Sequence, residues 1–301
     1  MSLKMREMRF VLFWLASAAW AQTLPEILSR VSEEAEVFQH AAPEVLAEET
    51  LTQRAVKAPA RFRPRVGAAV AKPIEPVWQT REIVSEYSFG FLKDAPEWLH
   101  EFREVTSADG REVSSAEAAR HSLALGMASS SDRAKKRMLE GFQKYGLTTA
   151  VVDLGPLLLL FTKRQVGNYH FDLGGQELNG AGKAQIVDYR QVSGQDRMLV
   201  FQGRRALHQP IQGRIYARVP DGLPLRITIT AMRKSGKHVF RDEAGVDYVL
   251  NSRGFLAPAA ITHKGYADDQ LQVEDQFRYT PFRKFGADAE IKFTPIPETV
   301  K

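Results

Sequence analysis

Few residues in this chain stand at spacings that do chemistry. The seven histidines are His40, His100, His121, His170, His208, His238 and His263, and no two are placed as H-x-H or H-x-x-x-H. Those spacings put two ring nitrogens on one side of a strand or helix, so no local metal site is predicted. His170 and Asp172 in "NYHFDLGG" share strand parity and can pair, which on a wet face makes a surface ion pair. Gly180, Gly182 and Lys183 in "QELNGAGKAQ" lack phosphate-loop spacing and read as a flexible hairpin loop. Asp268, Asp269, Glu274 and Asp275 in "ADDQLQVED" are too sparse for a calcium loop and read as a solvated turn. There is no Gly-x-Ser-x-Gly elbow. The chain has no cysteine, which excludes disulfides, thiol catalysis and thiolate-held zinc or iron–sulfur centres. We read a protein that is not an enzyme, with no cofactor and no metal.

The first 21 residues carry an address. Lys4, Arg6 and Arg9 precede "FVLFWLASAAWA", an uncharged run too short to span a bilayer comfortably. Ala19-Trp20-Ala21 fits a small-x-small cleavage site, so residues 1–21 read as a signal peptide with a mature start near Gln22. The expected location is periplasmic or extracellular, with no transmembrane span in the mature form. No cysteine follows the run to take a lipid anchor. Removing Lys4, Arg6, Glu7 and Arg9 with the leader leaves a net charge of +3, too mild an excess to signal nucleic acid.

The elements are mostly strands. Leu24, Ile27, Leu28, Val31, Ala35 and Phe38 recur at helical spacing, so 24–40 is predicted to be an amphipathic helix. Residues 44–56 extend that helix or form a first strand, and 22–53 is taken as one N-terminal segment. Residues 54–76 hold Arg54, Lys57, Arg61, Arg63, Arg65 and Lys72, four prolines and no acid before Glu75. That composition suits a solvated connector or a weak contact with an anionic surface. One antiparallel domain is expected over 77–301, with a helical insert at about 114–163. The insert starts at a Ser114/Glu117 capping box, runs helically to about 126 and resumes over 133–145 with Met138, Leu139 and Phe142 inward. It ends in "VVDLGPLLLLFTK", either a buried turn of helix or a lid over an apolar cavity. Strands then follow near 166–174, 183–192, 197–203, 213–219, 224–234, 238–250, 256–264, 269–279 and 284–293, joined by turn chemistry such as Asp221-Gly222 and Ser235-Gly236.

Parity gives these strands one apolar face. In "GRIYARVPDGLPLRITIT", Ile215, Ala217 and Val219 oppose Arg214, Tyr216 and Arg218; Leu225, Ile227, Ile229 and Ala231 oppose Arg226, Thr228 and Thr230. Leu271, Val273, Phe277 and Tyr279 repeat the pattern, as do Ile83, Tyr87, Phe89 and Phe91. Tyr87, Phe89, Phe91, Ile227, Ile229, Phe277 and Tyr279 are therefore expected to share a concave apolar face and to be its ligand-binding residues. The segments 24–40 and 114–163 are its natural cover.

The hairpin's Gly213, Ile215, Gly222, Leu223, Pro224 and Arg226 resemble a hairpin of the LolA/LolB-type lipoprotein-carrier superfamily, with Tyr216 and Ala217 departing from its usual aromatic and acidic positions. "LAEETLTQRA", "RFRPRVGAA" and "QTREIVSEYSFGFLKDAPEWLHEFREV" resemble an uncharacterised family of secreted proteins from Acidobacteria-like bacteria, for which no activity is implied. The carrier resemblance implies a curved half-barrel whose concave face holds acyl chains under helical lids. The expected fold is a β-dominated α+β protein with one large curved antiparallel sheet, an N-terminal helix and a helical insert. The expected function is binding of an apolar or amphipathic ligand, a lipid or a lipid-modified protein; the alternative is an interaction module of the envelope without such a ligand. An open trough would favour the first and a face filled by the chain's own side chains the second.

Overall fold

The computed structural model describes residues 22–57, 76–93, 95–129, 138, 140–148, 153–179, 182–193, 198–202 and 205–285. The expected signal peptide, the body of the basic segment after Lys57, Leu139 and the strand expected from 284 beyond Phe285 lie outside the described residues.

Helix α1 spans Leu24–Ala41. The Glu26 carboxylate accepts the Thr23 amide at 2.8 Å and closes its first turn. Ile27, Val31, Ala35 and Phe38 are its buried stripe. After a 3-10 turn at Ala42–Glu44 the chain enters strand β1, Val45–Val56. Thr50, Thr52 and Val56 thus follow strand preference, and the strand carries Arg54, where the linker was expected to begin. Strands β2 (Trp78–Leu92), β3 (Ala95–Ala108) and β4 (Arg111–Glu112) follow as a meander. Helix α2 spans Ala116–Ser129, past the break expected at 126. Ser115, not Ser114, caps it: its hydroxyl accepts the Ala118 amide at 3.2 Å. Helical residues 140–144 and a 3-10 segment, Gly155–Phe161, complete the insert.

The remaining strands are β5 (Tyr169–Asn179), β6 (Gly182–Gln191), β7 (Met198–Gln202), β8 (Arg205–Gln209), β9 (Ile211–Arg218), β10 (Pro224–Ser235), β11 (His238–Leu250), β12 (Leu256–Ala267), β13 (Gln270–Tyr279) and β14 (Arg283–Lys284). All but β7 and β8 form one antiparallel sheet in the order β4-β3-β2-β1-β13-β12-β11-β10-β9-β6-β5, with β14 on β1. The single strand expected at 197–203 is instead half of a separate β7–β8 hairpin. The sheet is an open, curved half-barrel: β4 and β5 end it and do not meet. Strand β1 lies between β2 and β13 and joins both wings, so the N-terminal segment and the following strands share one sheet.

The two faces have different covers. Helix α1 and the 3-10 segment lie on the concave face and share its large apolar cluster. Helix α2 does not join them; it packs on β2 and β3 from the opposite face, around Leu46, Phe102 and Leu123. The reason is parity: Leu46, Leu92 and Phe102 point away from the main core and make a second apolar patch that α2 buries. The insert wraps the β3 edge, because Phe142, Leu147 and residues 157–161 return to the concave side. Leu225 also departs from expectation. A register shift between Pro224 and Arg226 takes it off the buried face that Ile227 and Ile229 keep.

Backbone approach is tightest at Gly213, where β9 meets β10. A Cβ there would stand 1.9 Å from the Thr228 carbonyl oxygen. Gly213→Ala is expected to cost at least about 2 kcal/mol of unfolding free energy. Gly175→Ala, with nothing within 4 Å of the added carbon, should stay within about 0.5 kcal/mol of the parent. Urea unfolding of both variants checks the pair.

Candidate functional site

The concave face is built from one row of side chains across eight strands. Ile83, Leu51, Phe277, Ile261, Val246, Ile227, Ile215 and Val187 are successive cross-strand partners from β2 to β6. Each is at most 4% exposed. Of the expected ligand-binding residues, Tyr87, Phe89, Ile227, Ile229 and Phe277 are buried in this cluster, and Phe91 and Tyr279 pack half-buried against it. Rings join them: Tyr87 lies 5.0 Å from Phe89 and 4.8 Å from Tyr279, centroid to centroid. The seven are thus brought together, and the chain's own side chains fill the space above them.

Two elements do the filling. Phe38 of α1 meets Phe89 edge-on at 5.3 Å. The 3-10 segment "GPLLLLF" buries all seven residues, and Phe161 meets Tyr189 at 4.9 Å. Of the two readings of this apolar run, the structure shows the buried turn of helix, here a 3-10 turn packed into the core. Polar side chains of the sheet hold its backbone. Tyr248 donates its hydroxyl to the Gly155 carbonyl at 2.9 Å and accepts the Leu158 amide at 3.1 Å. Burial pushes the Tyr248 hydroxyl far above the usual phenol range. Glu101 accepts the amides of Asp153 at 2.7 Å and Gly155 at 2.8 Å, while Asp153 accepts the Glu101 amide at 2.8 Å. Asp153 adopts a left-handed backbone, φ 66°, to make that reciprocal clip, and its second oxygen meets His100 at 2.9 Å.

Glu101 belongs to a buried charge cluster that sequence reading missed. Arg103 holds Glu49 through two bonds, 2.6 and 2.8 Å, and Glu101 at 2.9 Å. Tyr87 donates to Glu101 at 2.7 Å, and the guanidinium stands 4.9 Å from the Tyr87 ring centre. Burial raises the Glu49 carboxyl against the pull of Arg103. The signal was present in "LAEETL" and "LHEFREV": Glu49, Glu101 and Arg103 hold the parity of the apolar residues, which charge alone would assign to solvent.

A second buried cluster lies one step along the sheet. His263 stands between Asp275, 2.9 Å from Nδ1, and Asp242, 3.2 Å from Nε2. Gln53 donates to Asp275 at 2.8 Å and accepts the Thr148 amide at 2.6 Å. Asp275, expected in a solvated turn, is therefore a core residue: β13 parity puts it between Val273 and Phe277. Burial alone would lower the His263 pKa; the two carboxylates outweigh it and raise it to about 9.

The rest of the polar surface is ordinary. His170 meets Asp172 at 3.4 Å on a half-exposed face. An open polar groove of about 480 Å³ crosses the outer face near Asp188, Arg214 and Tyr216. Among the described residues no three His, Asp or Glu side chains converge as a metal site.

No family model and no curated protein sequence matches the chain. It is similar in structure to a LolA superfamily protein from Nitrosomonas europaea, at 9% identity over 85% of this chain and 93% of that one, with a TM-score of 0.37. It is likewise similar to a DUF1329 family protein from Desulfovibrio piger, at 8% identity, 87% and 95% coverage and a TM-score of 0.38. An outer membrane lipoprotein-sorting protein domain from Vibrio parahaemolyticus gives 7% identity, 87% and 94% coverage and a TM-score of 0.38. At these scores the likeness assigns no residue and no activity. The Acidobacteria-like family has no counterpart among them.

The His263 cluster sets a pH dependence. Its folded pKa, about 9, lies above the unfolded value of about 6.5. The contribution is complete below the unfolded value and is lost as pH rises through the folded one. The difference in thermal midpoint between the parent and His263→Gln is expected to shrink between about pH 6.5 and 9.5. A difference that grows with pH contradicts the assignment.

Proposed function

We propose that this chain is a non-catalytic binding protein for an apolar or amphipathic ligand, a lipid or a lipid-modified protein. The ligand takes the place of the Gly155–Phe161 segment on the concave face. The pattern of residues 1–21 supports export, to the periplasm or beyond. One observation carries the reading: the segment over the apolar row is neither strand nor α-helix, and sheet side chains rather than a backbone ladder hold it, at Gly155 and Leu158. It can leave without breaking a strand pairing.

Magnitudes decide what could displace it. Exposing Leu157, Leu158, Leu159, Leu160 and Phe161 costs about 8–15 kcal/mol, at about 1.5–3 kcal/mol per side chain. Burying an acyl chain of about 16 carbons returns about 12 kcal/mol, at about 0.8 kcal/mol per methylene. A long acyl chain is an even exchange for the segment; a short one is not. The completeness of the filling favours a second reading, an envelope interaction module with no small-molecule ligand.

Tyr248→Phe separates the two. It leaves the Gly155 carbonyl and the Leu158 amide without their partner and destabilises the closed cover by about 1–2 kcal/mol. Under the binding reading that loss removes part of the opening cost, so affinity for a fluorescent long-chain fatty acid rises about five- to thirtyfold. Under the module reading the thermal midpoint falls and no probe is taken up. A parent and a variant that both ignore the probe would sink the binding reading, and native mass spectrometry of the purified chain checks for lipid already bound.

A further inference from the structure

One end of the sheet collects the connection between β1 and β2 and the turns β3–β4, β10–β11 and β12–β13. Antiparallel register requires this: Ala55 faces Val273, Val273 faces Gly265, and Phe240 faces both Ala267 and Arg233. The rim from β1 to β10 spans four strand spacings, about 19 Å. We propose that this rim docks the protein on an anionic lipid bilayer.

Charge and apolar groups alternate along it. Lys57, Lys234 and Lys237 are exposed, and so are Val77, at 60%, and Met232, at 55%. Arg54 lies 4.4 Å from the Trp78 ring centre, Arg233 4.3 Å from Phe240 and Arg241 4.1 Å from Tyr266. Three acids at the turns are engaged, Asp109 by Arg81 at 2.5 Å, Asp268 by His238 at 2.6 Å and Asp269 by Arg241 at 3.3 Å, while Glu82 and Glu112 are exposed toward the β4 edge, away from the lysines of β10–β11. The Lys57 amide donates to the Val77 carbonyl at 2.7 Å.

Cations interleaved with small apolar groups suit the headgroup layer, where lysine meets phosphate and valine or methionine enters the acyl boundary. A nucleic acid fits less well. Val77 and Met232 have no counterpart on a phosphodiester backbone, and guanidinium groups already cover the aromatic rings that would stack on bases. The proposal does not depend on the acyl-binding reading, because a filled core can dock as well as an open one.

The test is co-flotation of the full chain with phosphatidylcholine vesicles, with and without about 30 mol% phosphatidylglycerol, at an ionic strength of about 0.1 M. The readout is the preference for the anionic vesicles; anything residues 1–21 contribute to neutral vesicles is common to all variants. Wild type should prefer anionic vesicles, and Lys234→Glu with Lys237→Glu should reduce that preference at least tenfold while the thermal midpoint stays unchanged. Val77→Ser with Met232→Ser should weaken binding several-fold, with the loss persisting at high salt. No preference in wild type, or an unchanged preference in the lysine variant, overturns the proposal. Equal binding by the serine variant, or tighter binding of single-stranded DNA than of vesicles, overturns the bilayer as partner.

Discussion

The buried contact between Arg103 and its two carboxylates, Glu49 and Glu101, is the constraint around which the molecule is arranged. It ties β1 to β3 across β2 beneath the apolar core. Through Glu101 the same cluster reaches the backbone of the insert at Asp153 and Gly155. Ion pairs withdrawn from water add little net stability, yet breaking one by removing a partner costs about 3–5 kcal/mol. A slip of the β1–β3 wing, or of the covering segment from its seat on the concave face, would leave one of these buried charges unpaired.

That seat explains the division of labour in the insert. Helix α2 answers an apolar patch on the outer face, where Phe102, Leu46 and Leu123 meet. The segment after it crosses the β3 edge, which Asp153 blocks by accepting the Glu101 amide. An open sheet needs such a device, because unpaired edge amides invite pairing with another chain. Once across, the leucines fill the space between α1 and the sheet. The insert is thus a clasp around one edge of the half-barrel, anchored by apolar contacts on both faces and by carboxylates at the edge.

The covered apolar row and the cationic rim occupy different parts of this plan. The covered apolar row runs across the middle of the sheet, while the cationic groups gather where the β1–β2 connection and the β10–β11 turn end. The buried His263 cluster lies between them, on the concave side of β11, β12 and β13. Its bond network reaches Gln53 and, through it, Thr148 of the insert. Buried polar groups of the sheet, Gln53 and Glu101, therefore hold the returning insert at Thr148 and at Asp153, with the apolar segment following.

Period-two alternation made most of the strands legible, because each strand of a one-sided sheet must show alternating apolar and polar residues. Turn residues at Asp221-Gly222 and Ser235-Gly236 placed the hairpins, and helical spacing placed α1. Alternation also named Tyr87, Phe89, Phe91, Ile227, Ile229, Phe277 and Tyr279 as one face, since parity is a local property of the backbone. What parity could not say was which object lies over that face. Strand order, the central place of β1, the seat of α2 on the outer side and the return of "GPLLLLF" to the inner side depend on contacts between residues far apart in sequence. Glu49, Glu101, Arg103, His263 and Asp275 were unreadable for the same reason. A charged residue at an apolar parity looks like a surface exception until its partner, which neutralises it and lets it be buried, arrives from another strand.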